Sequence, residues 1–142
     1  MLLYLDNCCF NRPFDDQSQL RISLETQAKL FVQQEILTGR FKLAWSYIPE
    51  YENNRNPFDV RRDSVFDWKN VAVKNIIESE EILLFGETLI ERNVKIYDAL
   101  HVACAFIGGC DYFLTVDKGL LSKKINEIPV YNPIDFINEL EV

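Results

Sequence analysis

Short apolar runs alternate with longer segments of helical periodicity from one end of the chain to the other, and this alternation narrows the fold more than any other feature. Leu2-Leu3-Tyr4-Leu5 reads as a first strand, apolar at every position and so buried on both faces. Lys42 to Tyr47 reads as a second strand, Tyr112 to Val116 as a third and Val130-Tyr131 as a short fourth. Leu20, Leu24, Ala28, Phe31, Val32 and Ile36 recur at helical spacing over Leu20 to Thr38, and Gly39 ends that helix. Phe14 to Gln19 is polar and loop-like. Pro49 interrupts after the second strand, Glu50 to Asn54 makes a short helical turn, and Asn56-Pro57 closes it. Asp59 is expected to cap a second long helix with Val65, Trp68, Ala72 and Ile76 on one face. Ile82 to Arg92 mixes a short apolar run with a helical pattern. Asp98 to Ile107 is apolar almost all round, which predicts a buried helix stopped by Gly108-Gly109. Lys118 to Ile125 and Pro133 to Leu140 read as the last two helices, the latter with Pro in its first turn. Such alternation predicts an α/β fold: a three-layer α/β/α sandwich with a mostly parallel central sheet and helices on both faces.

The 142 residues predict one domain, 1–142, with chain enough for a sizeable core. Fifteen Lys and Arg against 22 Asp and Glu leave a formal charge of −7, which excludes a protein that coats DNA by counterion release. A chain this acidic that handles nucleic acid needs local cations or bound metals. No apolar run approaches the roughly 18 to 20 residues of a membrane span. The opening MLLYLDNCCF has no basic region and meets Asp6, unlike a secretory signal, so no membrane association and a cytoplasmic location are expected. Cys8, Cys9, Cys104 and Cys110 form no Cys-x-x-Cys pair and the chain has a single His, which argues against structural zinc and for free thiols in a reducing compartment.

In a parallel sheet all strands end at one edge, and ligands bind outside their carboxyl ends. Asp6 follows the first strand and Asp117 the third; Glu50 and Glu52 lie just past the second. Asp98 opens the helix that leads into the Tyr112 strand, and a crossover helix begins at the same edge. Each has an ordinary alternative: Asp98 and Asp117 as helix caps, Asp6 as a turn residue, Glu50 and Glu52 as solvated charges. Jointly they favour a metal site, because carboxylates at ~4 Å repel by about 4 kcal/mol at an effective dielectric of 20 unless a cation intervenes. Oxygen ligands select a hard ion, Mg²⁺ or Mn²⁺, and two such ions about 3.5–4 Å apart could hold a phosphodiester and activate water for in-line attack.

Three segments resemble the PIN-domain family of metal-dependent ribonucleases, many of them toxins of bacterial toxin–antitoxin pairs. They are Leu3-Tyr4-Leu5-Asp6-Asn7, Tyr97-Asp98-Ala99-Leu100-His101-Val102-Ala103-Cys104-Ala105 and Asp111-Tyr112-Phe113-Leu114-Thr115-Val116-Asp117, whose order and spacing span nearly the whole chain. The resemblance implies a PIN-like fold and an endoribonuclease that leaves a 3′-hydroxyl and a 5′-phosphate. It implies that Asp6, Asp98 and Asp117 are metal-binding and catalytic, with Glu52 as the acid after the second strand and Glu50 in reserve. Thr115 resembles a small hydroxyl residue that orients the site; a β-branched strand residue is the alternative. It also implies an RNA substrate, an antitoxin that covers the acidic edge with an inserted Arg, and a homodimer. Asn7-Cys8-Cys9-Phe10-Asn11-Arg12-Pro13 departs from the usual toxin opening.

Arg12 could neutralise a substrate phosphate, although pairing with Asp15 or Asp16 is favoured. Arg55, Arg61 and Lys118 are further candidates for RNA contact, or else solvated charges. His101, one turn beyond Asp98, could be a general base, but on so apolar a helix a packed, hydrogen-bonded core residue is the preferred reading. No base is evident to activate Cys8 or Cys9, so thiol catalysis is not expected. Two other function classes fit the sequence less well. Aspartyl-phosphate phosphatases resemble Asp-x-Asp-x-Thr, but position 8 is Cys. A catalytically inactive PIN-like module that binds RNA or protein would need a depleted site, whereas all four acidic positions are filled.

Overall fold

The protein is described here as a computed structural model covering residues 1–53 and 58–140; Arg55 and the Asn56-Pro57 pair lie outside the described residues. The apolar runs become strands β1 (Leu2–Leu5), β2 (Lys42–Ser46), β4 (Tyr112–Leu114) and β5 (Val130–Tyr131), with β3 (Lys74–Ile76) between them in sequence. They form one parallel sheet in the order β3-β2-β1-β4-β5. Leu3 pairs with Leu43 on one side of β1 and with Tyr112 on the other. The helices are α1 (Asn7–Asn11), α2 (Leu20–Leu37), α3 (Ile48–Asn53), α4 (Asp59–Asp67), α5 (Glu80–Glu91), α6 (Ile96–Ile107), α7 (Lys118–Leu121) and α8 (Pro133–Leu140). No helix among the described residues is long and apolar enough to cross a membrane.

The period of two along each strand splits the core into two layers. Tyr4, Ala44 and Phe113 pack on one face with Ile82 and Leu89 of α5 and Val102 and Ala103 of α6. Leu3, Leu5, Leu43, Trp45 and Leu114 pack on the other with Val32 and Ile36 of α2, Val65 of α4 and Phe136 of α8. This is the expected α/β/α sandwich.

Three local expectations are corrected. The second long helix does not exist: α4 ends at Asp67, a 3-10 turn covers 68–70, and Ile76 belongs to the edge strand β3. The apolar spacing through Val65, Trp68, Ala72 and Ile76 thus threads three elements. Asp59 is the first residue of α4 rather than its cap, which is Phe58. The Lys118 helix stops at Leu121.

Ala28, Val32 and Ile36 of α2 face inward as expected, but the rest of its inward face is polar. Leu20, Leu24 and Phe31 are exposed, while Glu25, Lys29, Val32, Gln33 and Ile36 are buried. Glu25, fully buried, explains this. Its Oε1 accepts from Arg12 Nε and Nη2 at 3.0 and 2.7 Å, and its Oε2 from Asn132 Nδ2 at 2.5 Å, with Arg21 Nη2 at 3.1 Å. A buried carboxylate needs such partners, and meeting them turns α2 about its axis. Four residues on, the Lys29 ammonium lies 5.9 Å from the Phe10 ring centre, and burial draws its pKa down to about 8.

The Gly108-Gly109 stop is required sterically. Gly109 has φ +78°, and a Cβ on Gly108 would overlap Ile76 Cδ1 and sit 2.6 Å from the Cys104 carbonyl. Gly108→Ala is therefore expected to cost about 1–3 kcal/mol, because the backbone carbonyl cannot yield. A lowered urea midpoint at unchanged slope checks this.

Candidate metal centre

The chain winds from β1 outward to β2 and β3, then returns across β1 to β4. The direction of winding therefore reverses between β1 and β4, the position where an open α/β sheet leaves a crevice at its carboxyl edge. Asp6 leaves β1 and Asp117 lies three residues past the end of β4, on either side of that crevice.

Asp6 is 4% exposed and held from three directions. Its Oδ1 accepts the Asn7 N–H at 2.8 Å and thereby caps α1; its Oδ2 accepts from Thr115 Oγ1 at 2.8 Å and from the Cys8 thiol at 3.4 Å. Thr115, fully buried, also accepts the Asp117 N–H at 3.1 Å, so one hydroxyl ties the ends of β1 and β4 together. Burial and the neighbouring Glu52 raise the Asp6 pKa, against His101, Thr115 and Cys8. The Cys8 thiol is itself pushed well up by its hydrogen bond with Cys9, by burial and by Asp6, so it stays a protonated donor rather than a nucleophile.

Glu52 and Glu50 part company on α3. Glu50 faces away and pairs with Lys69 at 2.5 Å. Glu52 Oε1 is hydrogen-bonded to His101 Nε2, which also lies 3.7 Å from Asp6 Oδ1. Ligand atoms of Asp6, Glu52 and His101 all fall within 4.8 Å of one another. Asp98 stands in the first turn of α6, whose cap is Lys95. It is half-buried, and burial with the charges of Asp6 and Asp117 lifts its pKa to about 6, against a smaller opposing effect of His101. Asp117 Oδ1 caps α7 through the Gly119 and Leu120 N–H groups at 2.8 and 3.4 Å. The capping alternative and the site reading therefore coexist in this residue. Glu52, Asp98 and Asp117 line one open pocket with Lys95, Ile96 and Tyr97. Asp98, Asp117 and Lys95 also border a smaller cavity of about 160 Å³ that reaches Ser122 and Lys123.

His101 is packed and hydrogen-bonded as the sequence led one to expect, and the structure adds the identity of its partners. One of them is a site acid. Burial alone would lower its pKa; the Glu52 hydrogen bond and the charges of Asp6, Glu52 and Asp98 outweigh that and raise it. The available signal was position: Asp98 and His101 are three residues apart and so share a face of α6. Neither Lys95 nor Tyr97 stood out in the sequence.

Of the candidate RNA cations, Arg12 and Arg61 are engaged away from the site. The Arg12 guanidinium is shared between Glu25 and Asp15. Arg61 donates to the Phe14 carbonyl at 2.5 Å, with its guanidinium near the Phe14 and Phe58 rings. Lys118 follows Asp117 and is exposed.

No family model matches the chain, and no curated protein matches it. Among solved structures, a chain in the crystal structure of VapBC2 from Rickettsia felis, bound to a DNA fragment from its promoter, is similar with a TM-score of 0.56. The identity is 15%, over 92% of this chain and 97% of that one. The likeness shows the fold, a PIN-like α/β/α sandwich with a parallel central sheet.

Proposed function

We propose that this chain, built on the PIN-like fold, is a Mg²⁺- or Mn²⁺-dependent endoribonuclease and the toxin of a toxin–antitoxin pair. The observation that carries the reading is the meeting of Asp6, Glu52, Asp98 and Asp117 at the β1/β4 crevice. Among the described residues none of these four forms an ion pair with Lys or Arg. The donor set fits a divalent cation. Hard carboxylate oxygens predominate, and the pKa values of Asp6 and Asp98 are raised first by burial and then by neighbouring carboxylates, whose repulsion a cation would relieve. Such an ion, when bound, supplies Lewis acidity toward a phosphoryl oxygen and a lowered pKa for water.

The remaining work falls to the chain itself. Thr115 and the Asn7 N–H fix the Asp6 carboxylate, and the α7 backbone fixes Asp117. Asp98, with Glu52 and Asp117, lines the open pocket where substrate would sit. Lys95 beside it offers a cation to an RNA phosphate, and Tyr97 offers a ring face to a base. We assign substrate contact to these two residues rather than to Arg12 or Thr115, whose polar groups are taken up within the protein.

The neighbouring complex from Rickettsia felis pairs two components on DNA. By analogy, an antitoxin that places an Arg over the acidic edge, and a homodimer, are the partners proposed here. The test of the activity is purified protein with labelled RNA in Mn²⁺. Cleavage that a chelator stops is expected; absence of cleavage, or cleavage indifferent to the chelator, would sink the reading.

A further inference from the structure

Beneath Glu52 runs a chain of polar groups that crosses the apolar layer between the sheet and α6. The Ile48 N–H donates to Ser46 Oγ at 3.3 Å. Ser46 Oγ lies 2.6 Å from Tyr4 Oη, and Tyr4 Oη lies 2.5 Å from His101 Nδ1. On the other side of the ring, Nε2 meets Glu52. Ser46 and His101 are fully buried and Tyr4 is 1% exposed, in surroundings made of Ala44, Ile48, Val102, Cys104 and Phe113. The Tyr4 ring stacks on Phe113 at 5.4 Å and meets the imidazole edge-on at 5.5 Å, which fixes both rings. A polar chain in such a layer costs stability unless every member is satisfied, and every member here is.

The direction of the chain follows from its end. A carboxylate accepts only, so Nε2 must carry a proton to bond Glu52. In the neutral ring Nδ1 then accepts from Tyr4, whose oxygen accepts from Ser46. In the imidazolium Nδ1 donates to Tyr4 instead. Nε2–H points at Glu52 either way.

We propose that His101 is a positioning residue: anchored through Tyr4 and Ser46, it holds the Glu52 carboxylate at the site through Nε2–H and does not itself ligate the ion. This rests on the metal-dependent reading of the site, but its test does not depend on cleavage. The outer partners of metal-ligating groups set their orientation and affinity, and their removal costs about 10- to 100-fold in metal binding.

His101 is the only histidine in the sequence, so long-range ¹H–¹⁵N spectra of the imidazole need no assignment. A protonated Nε2 is expected, and it should stay protonated when diamagnetic Mg²⁺ is added to saturation. Loss of that proton on Mg²⁺ addition means direct ligation and overturns the proposal, as does a ring protonated only at Nδ1. In parallel, Mn²⁺ affinity is measured by electron paramagnetic resonance on folded wild-type, Tyr4→Phe, His101→Leu and His101→Gln proteins. His101→Leu should bind about 10- to 100-fold more weakly. His101→Gln, which keeps a donor, should recover most of the affinity, and Tyr4→Phe should fall between. Equal affinity in wild type and His101→Leu, or no recovery with Gln, overturns the proposal. Wild type that binds Mn²⁺ with these differences but cuts no RNA leaves it standing and removes the ribonuclease reading alone.

Discussion

Asp98→Asn is expected to abolish metal-dependent RNA cleavage, by at least about a hundredfold in turnover, while making the metal-free protein more stable at neutral pH. The two effects share one cause. Burial and the charges of Asp6 and Asp117 put the folded-state pKa of Asp98 at about 6, against an ordinary 3.8. At pH 7 the folded protein carries an ionised carboxyl that it holds less favourably than the unfolded chain does. Below about pH 4 the group is protonated in both states and that penalty disappears. Stability of the metal-free wild type should therefore rise as pH falls from 7 through 6 toward 4, and the advantage of Asp98→Asn should shrink over the same window. Solvent reaching a half-buried carboxyl leaves about 1 kcal/mol of the effect at neutral pH. Saturating Mn²⁺ should invert the order, because an ion that binds only the folded wild type adds its binding free energy to that state. Thermal melts in chelator and in Mn²⁺ across this range are the measurement, run beside the cleavage assay. A variant no more stable than wild type at pH 7 would remove the charge-repulsion argument. Equal metal-dependent cleavage by both would point to a contaminating nuclease.

Glu25→Ala is expected to lose about 3–5 kcal/mol, the cost of breaking a buried charge cluster by removing one side. The carboxylate ties α2 to the turn at Arg12 and to Asn132 at the mouth of α8, and its loss leaves Arg12 and Asn132 with unmet donors at the layer boundary. The melting temperature should fall by about 10 °C or more. A loss below about 1 kcal/mol would mean that water replaces Glu25 at little cost. Arg12→Ala separates the two readings of that side chain. Lost stability with an unchanged KM for RNA supports its tie to Glu25; a raised KM returns it to the substrate.

The layer architecture was legible because β1, β2 and β4 are buried on both faces and so are written as continuous apolar runs. β3 was not legible: Lys74-Asn75-Ile76 lies at the sheet edge with one buried residue of three, and nothing in that spelling separates a strand from the tail of a helix. The face of α2 was only half legible, Ala28, Val32 and Ile36 turning inward but Leu20, Leu24 and Phe31 not, for a different reason. Periodicity assumes that apolar residues turn inward, and Glu25, Lys29 and Gln33 turn inward instead because Arg12 and Asn132 meet Glu25 there. At the candidate site, Asp6, Glu52 and Asp117 were legible as residues just past strand ends and Asp98 as the opening of a crossover helix. The preference for Glu52 over Glu50 came with the family resemblance, whereas the part of His101 depends on a contact between α3 and α6 across 49 positions of sequence. No local pattern encodes such a contact.

The seam between β1 and β4 also sets when the acidic crevice can form. Leu3 pairs with Tyr112, and the hydroxyl that steadies Asp6 arrives 109 residues later on the chain. During synthesis the earliest strand must wait, one edge unpaired, until the last third of the polypeptide has left the ribosome. The acidic crevice therefore has no geometry in the first two-thirds of a growing chain and takes shape only once β4 has been made and paired.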